Sequence, residues 1–150
     1  MVRRSYTLGQ ECVIYCRTST DKQEDGLDTQ YFDCRARVAR LKLELVIPPV
    51  EESTFVDRYP MPTESLEKMN RMVGGWFDEG QSGALDPMER PSFSKMMEFI
   101  RDNDIKLVIL YHNDRLARDV ELTLRVIREC NDEGIEFLFG NLPDIDIDTP

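Results

Sequence analysis

Long apolar runs are missing from this 150-residue chain. No stretch approaches the roughly 20 residues that a membrane span requires, and Met1-Val2-Arg3-Arg4-Ser5-Tyr6 lacks the apolar core of a secretory signal. A membrane role is excluded and a cytoplasmic location is expected. Histidine is nearly absent, with His112 the only one, and Cys12, Cys16, Cys34 and Cys130 form no CxxC pair. The ligand spacing of a structural zinc site is therefore lacking, and no metal is expected. Cys12 and Cys16 sit on one extended stretch about 13 Å apart at ~3.3 Å per residue, too far to bridge, and read as small buried residues. A glycine-rich phosphate loop is also wanting, which disfavours a small phosphate-ligand binder or phosphohydrolase of flavodoxin-like build. Basic charge is short: the net charge is −10, and the last twenty residues hold no Lys or Arg against Asp132, Glu133, Glu136, Asp144, Asp146 and Asp148. A broad basic surface is excluded, but a local basic pocket is not.

With 41% apolar and 32% charged residues, the chain suits one globular domain, 1–150, with an ordinary core. Cys12-Val13-Ile14-Tyr15-Cys16 reads as a buried strand, and beyond it Tyr15, Arg17 and Ser19 alternate, so the strand period turns phenol, guanidinium and hydroxyl to one face. Leu107-Val108-Ile109-Leu110-Tyr111 is a second buried-strand pattern and leads to Asp114-Arg115-Leu116-Ala117-Arg118. If that motif opens a helical turn, Arg115 and Arg118 share a face. In open α/β sheets ligands bind outside the carboxyl ends of the strands, so the two arginine-bearing ends can converge on one anion. A phosphodiester is the expected class. Serine needs activation to attack it, and arginine forks hold two nonbridging oxygens at once.

Leu27, Tyr31, Cys34, Val38 and Leu41 recur at helical spacing. Leu43, Leu45 and Ile47 alternate as a short strand that Pro48-Pro49 keeps from being a continuing central one. The stretch from Pro48 to about Gly75 reads as an inserted surface excursion, with a short helix from Thr63 to Met72 stopped by Gly74-Gly75. Asp78-Glu79-Gly80-Gln81-Ser82-Gly83 is a turn-rich loop, and Pro91 opens a helix whose stripe is Phe93, Met96, Met97 and Ile100. Asp119 is placed to cap a third helix with Val120, Leu124 and Ile127 inward and Gly134 as its stop, before a strand over Ile135–Phe139. This alternation implies a three-layer α/β/α sandwich on a mostly parallel sheet.

Four motifs, in order, resemble those of the serine recombinases: resolvases, invertases and large serine integrases. Tyr15-Cys16-Arg17-Thr18-Ser19 with Gln23 is similar to the family's Tyr-x-Arg-x-Ser-x-x-x-Gln motif. Gly26-Leu27-Asp28-Thr29-Gln30 is similar to the segment after it, and Asp78 through Arg90-Pro91 to the family's arginine loop. Asp114-Arg115-Leu116-Ala117-Arg118-Asp119 resembles its Asp-Arg-Leu-x-Arg-Asp motif. The resemblance spans most of the chain except Pro48 to Gly75.

It implies a resolvase-like fold and a DNA strand transferase that needs no metal or nucleotide cofactor. Ser19 would attack the phosphate to give a 5'-phosphoseryl bond and a free 3'-hydroxyl. Arg17, Arg90, Arg115 and Arg118 would bind and polarise the phosphate, supported by Gln23 and Asp114, with Tyr15 and Gln30 lining the substrate. It further implies DNA and further copies of the protein as partners, dimer to tetramer at full length. The long dimerisation helix and DNA-binding region that normally follow are not recognised before Pro150. The chain by itself is expected to be a monomer or weak dimer, as an isolated catalytic domain or a naturally truncated protein. Taken singly, Ser19 suits a loop hydroxyl or helix cap, and Gln23 and Gln30 suit surface positions. The motifs in order favour the catalytic reading over a noncatalytic recombinase-like interaction or regulatory module.

Overall fold

The computed structural model describes residues 7–17, 26–47, 74–78, 90–111 and 120–140. Their elements, in chain order, are β1 (Glu11–Arg17), α1 (Leu27–Arg40), β2 (Glu44–Leu45), β3 (Gly75–Asp78), α2 (Pro91–Asp102), β4 (Leu107–Leu110), α3 (Val120–Asp132) and β5 (Glu136–Phe139). All described strand pairings are parallel, as helical crossovers require. β1 is central, with β4 and then β5 on one side and β2 and β3 on the other.

The strand period divides the core in two. Val13, Tyr15, Trp76, Val108, Leu110, Phe137 and Phe139 point to one face, where α2 supplies Phe93, Met96, Met97 and Ile100 and α3 supplies Val126 and Cys130. Cys12, Ile14, Cys16, Phe77, Leu107, Ile109 and Leu138 point to the other, which α1 covers with Leu27, Tyr31, Cys34, Val38 and Leu41. The expected α/β/α sandwich is thus present, and the stripes expected for α1 and α2 are the buried ones.

Two expectations are corrected. Leu124 is 48% exposed, and among the described side chains of α3, which do not include Val120, the inward ones are Val126 and Cys130 with Ile127 packed partly against them. Residues 126 and 130 are about one helical turn apart, and at ~100° per residue Leu124 lies roughly 120–160° round the helix from them. The second concerns Gly75-Trp76-Phe77-Asp78, split in sequence between the end of an excursion and the start of a loop. It is a fully buried strand against β1.

β2 and β3 share one edge of β1. β4 occupies the opposite edge at Val13, Ile14 and Tyr15, so β3, which pairs Ile14 through Arg17, must lie where β2 pairs Glu11 and Cys12. Register runs Glu11↔Glu44, Cys12↔Leu45, then Ile14↔Gly75, leaving one position, opposite Val13, between the two strands. One edge line is therefore built from two distant pieces of chain. Gly74, with φ +81, turns into β3 where a Cβ would lie 2.9 Å from the Leu45 side chain, so both its conformation and its neighbour favour glycine.

Candidate active site

Crossing from β1 to the β2/β3 edge and then back over to β4 makes a topological switch between β1 and β4, and ligand crevices in open α/β sheets form at such points. The carboxyl ends of three strands meet there. Arg17 ends β1 opposite Asp78, which ends β3, and Tyr15 pairs Leu110 at the end of β4. Each end feeds one of the singled-out motifs: residues 18–23 after β1, the loop to Arg90 after β3, and Asp114 to Arg118 after β4. Ser19, Gln23, Asp114, Arg115 and Arg118 lie outside the described residues, whereas Tyr15, Arg17, Gln30 and Arg90 lie within them.

Gln30 sits in the first turns of α1, fully buried, and binds the end of β1 with both ends of its amide. The Arg17 N–H donates to Gln30 Oε1 at 3.1 Å, and Gln30 Nε2 donates to the Arg17 carbonyl at 2.8 Å. Side-chain amide thus satisfies main-chain amide, as a neighbouring strand would, and it fixes the backbone two residues ahead of Ser19. Arg17 itself is buried.

Tyr15 is buried edge-on to Phe93, with ring centroids 5.0 Å apart. Its hydroxyl donates to Asp78 Oδ2 at 2.7 Å and accepts from Arg90 Nη1 at 3.4 Å. Burial first, and the Asp78 carboxylate second, hold the phenol well above its ordinary pKa, so it stays a neutral donor. Asp78 does more: Oδ1 accepts from the Ser92 N–H at 2.9 Å and Oδ2 from the Phe93 N–H at 3.0 Å. Among the described residues, then, one buried carboxylate ties β3, β1 and the start of α2 together.

Asp78 was read from sequence only as the head of a loop. Arg90, at the N-cap of α2, makes no side-chain cap, so the acceptor for this helix start comes from elsewhere in the fold. Sequence could not say which acid supplies it. Among the described residues no cluster of His, Cys, Asp or Glu suits a metal ion, and no helix is long and apolar enough to cross a membrane.

Residues 63–150 match the family model of the resolvase N-terminal domain. The chain belongs to that family. The matched residues include β3, α2, β4, α3 and β5 with two of the arginine motifs, and they begin within the stretch read as an excursion. β1 and α1 of this resolvase domain precede them.

The fold is shared with solved serine recombinase domains. The N-terminal catalytic domain of TP901-1 integrase superposes with a TM-score of 0.62 at 21% identity, over 88% of this chain and 78% of that one. The C-terminal catalytic domain of ISC1926 TnpA, an IS607-like serine recombinase, gives 0.57 at 14% identity, over 87% and 70%. That of IS1535 TnpA gives 0.51 at 20%, over 85% and 69%. No curated protein sequence matches the chain.

Proposed function

We propose that this resolvase domain is the catalytic domain of a site-specific DNA recombinase in which Ser19 is the nucleophile. The observation that carries the reading is the convergence of three strand ends, each leading into a motif with at least one arginine or the serine itself. In the reaction, the Ser19 Oγ gives up its proton and bonds to phosphorus, the bond to the 3'-oxygen breaks and that oxygen takes up a proton, and the phosphoserine ester keeps the energy for religation. Arg17, Arg90, Arg115 and Arg118 bind the phosphate and offset the charge that builds on it, a role suited to a planar, permanently charged fork. Gln23 and Asp114 assist at the same strand ends. Gln30 and Tyr15 serve the site from beneath, through Arg17 and Arg90. DNA is the substrate, and at full length copies of the protein pair and then assemble in fours to exchange strands.

The test uses a nicked duplex, selected for cleavage from a randomised pool, with the full-length protein. A denaturing gel is expected to show a protein–DNA adduct that is absent with Ser19→Ala. An adduct that survives this substitution overturns the assignment. A folded wild-type protein that binds other recombinase copies yet forms no adduct on any duplex supports the noncatalytic module instead.

A further inference from the structure

Helix α2 has an unusual start. Arg90 is its N-cap but offers no cap of its own, and Pro91 at the first helical position has no N–H to satisfy. The N–H groups of the next two residues are those a cap normally serves, and both go to Asp78, Ser92 to Oδ1 and Phe93 to Oδ2. The Ser94 N–H already reaches the Arg90 carbonyl at 2.9 Å. Every donor from Pro91 to Ser94 is accounted for, and the acceptor comes from another strand. The carboxylate also places negative charge at the positive end of the helix.

The second Asp78 oxygen also accepts the hydrogen bond from the Tyr15 hydroxyl, which turns the phenol oxygen's lone pairs toward Arg90 Nη1. Arg90 is held twice by one carboxylate: its backbone through the cap on α2, its guanidinium through Tyr15. All three side chains are buried, at 0% exposure for Tyr15 and Arg90 and 4% for Asp78, so water does not substitute for these bonds.

We infer that Asp78 is a positioning residue for Arg90, setting where the guanidinium meets the phosphate without itself touching DNA. This rests on the reading of Arg90 as a phosphate-binding residue. A carboxylate is required, because an amide in its place has one acceptor atom for three donors and adds an N–H₂ facing a helix N-terminus.

Two variants in the full-length protein test it, Asp78→Asn and Tyr15→Phe, with two readouts: amide hydrogen exchange with the Arg90 Nε–Hε resonance, and the rate of adduct formation. Asp78→Asn is expected to speed exchange at Ser92 and Phe93, to shift the Arg90 resonance and to slow cleavage by roughly tenfold or more. Tyr15→Phe is expected to leave the two amides protected while still shifting the Arg90 resonance and slowing cleavage. In an Arg90→Ala background both substitutions should change the rate by less than about twofold, since groups acting through one another are not additive. A merely structural role would give the same loss in both backgrounds. Unchanged Arg90 resonances in both variants, or rate losses that multiply with Arg90→Ala, overturn the inference. Shifted resonances with cleavage at the wild-type rate in Arg90→Ala overturn instead the phosphate-binding reading of Arg90 and leave its positioning by Asp78 standing.

Discussion

At the residue scale, Gln30 and the arginines fail in different ways. Gln30 pairs with both main-chain groups of Arg17 in a dry setting, so Gln30→Ala strands a buried N–H and a buried carbonyl at once. At about 1–3 kcal/mol for each unsatisfied buried group, a loss of roughly 2–6 kcal/mol is expected in denaturant unfolding. Gln30→Glu keeps the acceptor but sets a buried carboxylate oxygen against the Arg17 carbonyl, and it should cost at least as much as alanine at neutral pH. Wild-type stability in Gln30→Ala would show that the Arg17 backbone finds other partners. Arg17, Arg115 and Arg118 are expected instead to cost rate: removing one preorganised donor at a developing charge typically costs about 3 kcal/mol, or on the order of a hundredfold. Lysine should restore only part, because it lacks the fork. Single-turnover cleavage by the three alanine variants reads this directly, and rates within a fewfold of wild type would remove the residue concerned from the site.

The cysteines are a residue-scale matter with a global readout. Burial raises all four thiols, Cys130 to about 11 and Cys12 to about 12, and Cys16 and Cys34 well above the ordinary value. The unfolded chain ionises near pH 8.5–9 while the folded one keeps its protons, so the folded state binds more protons and stability must fall as pH rises. The effect is absent below about pH 8 and grows between about pH 9 and pH 12, the window set by Cys12 and Cys130. Replacing Cys12 with alanine should flatten part of that decline even while it lowers stability at pH 7. Native thiols should also resist alkylation at neutral pH and react fully in denaturant.

At the scale of elements, the split edge line makes a sharp prediction. Joining Val46 directly to Gly75 would place Val46 opposite Val13 and continue the register of both strands without a gap. Closing a loop of about 30 residues costs on the order of 3 kcal/mol, which the shortened chain no longer bears. Deletion of residues 47–74 is expected to keep the far-UV circular dichroism of the sheet and a single cooperative unfolding transition. Loss of cooperativity would show that the removed segment contributes packing the sheet requires. What sequence revealed of these elements follows from periodicity. The stripes of α1 and α2 were legible because five and four apolar residues recur on one turn spacing, and the end of α3 because Gly134, at φ +81, stops it. β3 escaped because its four residues carry no alternation and lie between a glycine pair and a turn-rich loop. Leu124 misled because the sequence of α3 carries apolar residues on two well-separated lines, one through 120, 124 and 127 and one through 122, 126 and 130, and only the sheet decides which is buried. Asp78 was beyond reach since its partners lie 14, 15 and 63 residues away. Arg17 and Arg90 were named from motifs, but their burial depends on which chain segments meet at the strand ends.

At the scale of the molecule, charge governs how this 150-residue chain meets DNA. The net charge is −10, and two of the arginines that would face phosphate, Arg17 and Arg90, are nearly wholly buried. A buried guanidinium releases no counterion from a passing duplex, whereas affinity for DNA grows with the number of phosphates neutralised at the surface. Elsewhere, among the described residues, two of the exposed cations are already paired with acids: Arg101 makes a two-pronged bond to Glu133 at 2.8 Å for each prong, and Lys106 lies 3.3 Å from Asp104. The chain by itself is therefore expected to bind duplex DNA weakly, without sequence preference, and with a logarithmic salt dependence no steeper than about −3, as a handful of phosphate contacts gives. Fluorescence anisotropy with unrelated duplexes at about 50 mM and about 200 mM salt measures all three quantities. A steep slope with site-selective, submicromolar binding at the higher salt would mean that a basic surface is assembled from the cations of residues 1–6, 18–25, 48–73 and 112–119. Fusing a basic DNA-binding module to the chain would then add little affinity, whereas on the charge argument it should add most of it.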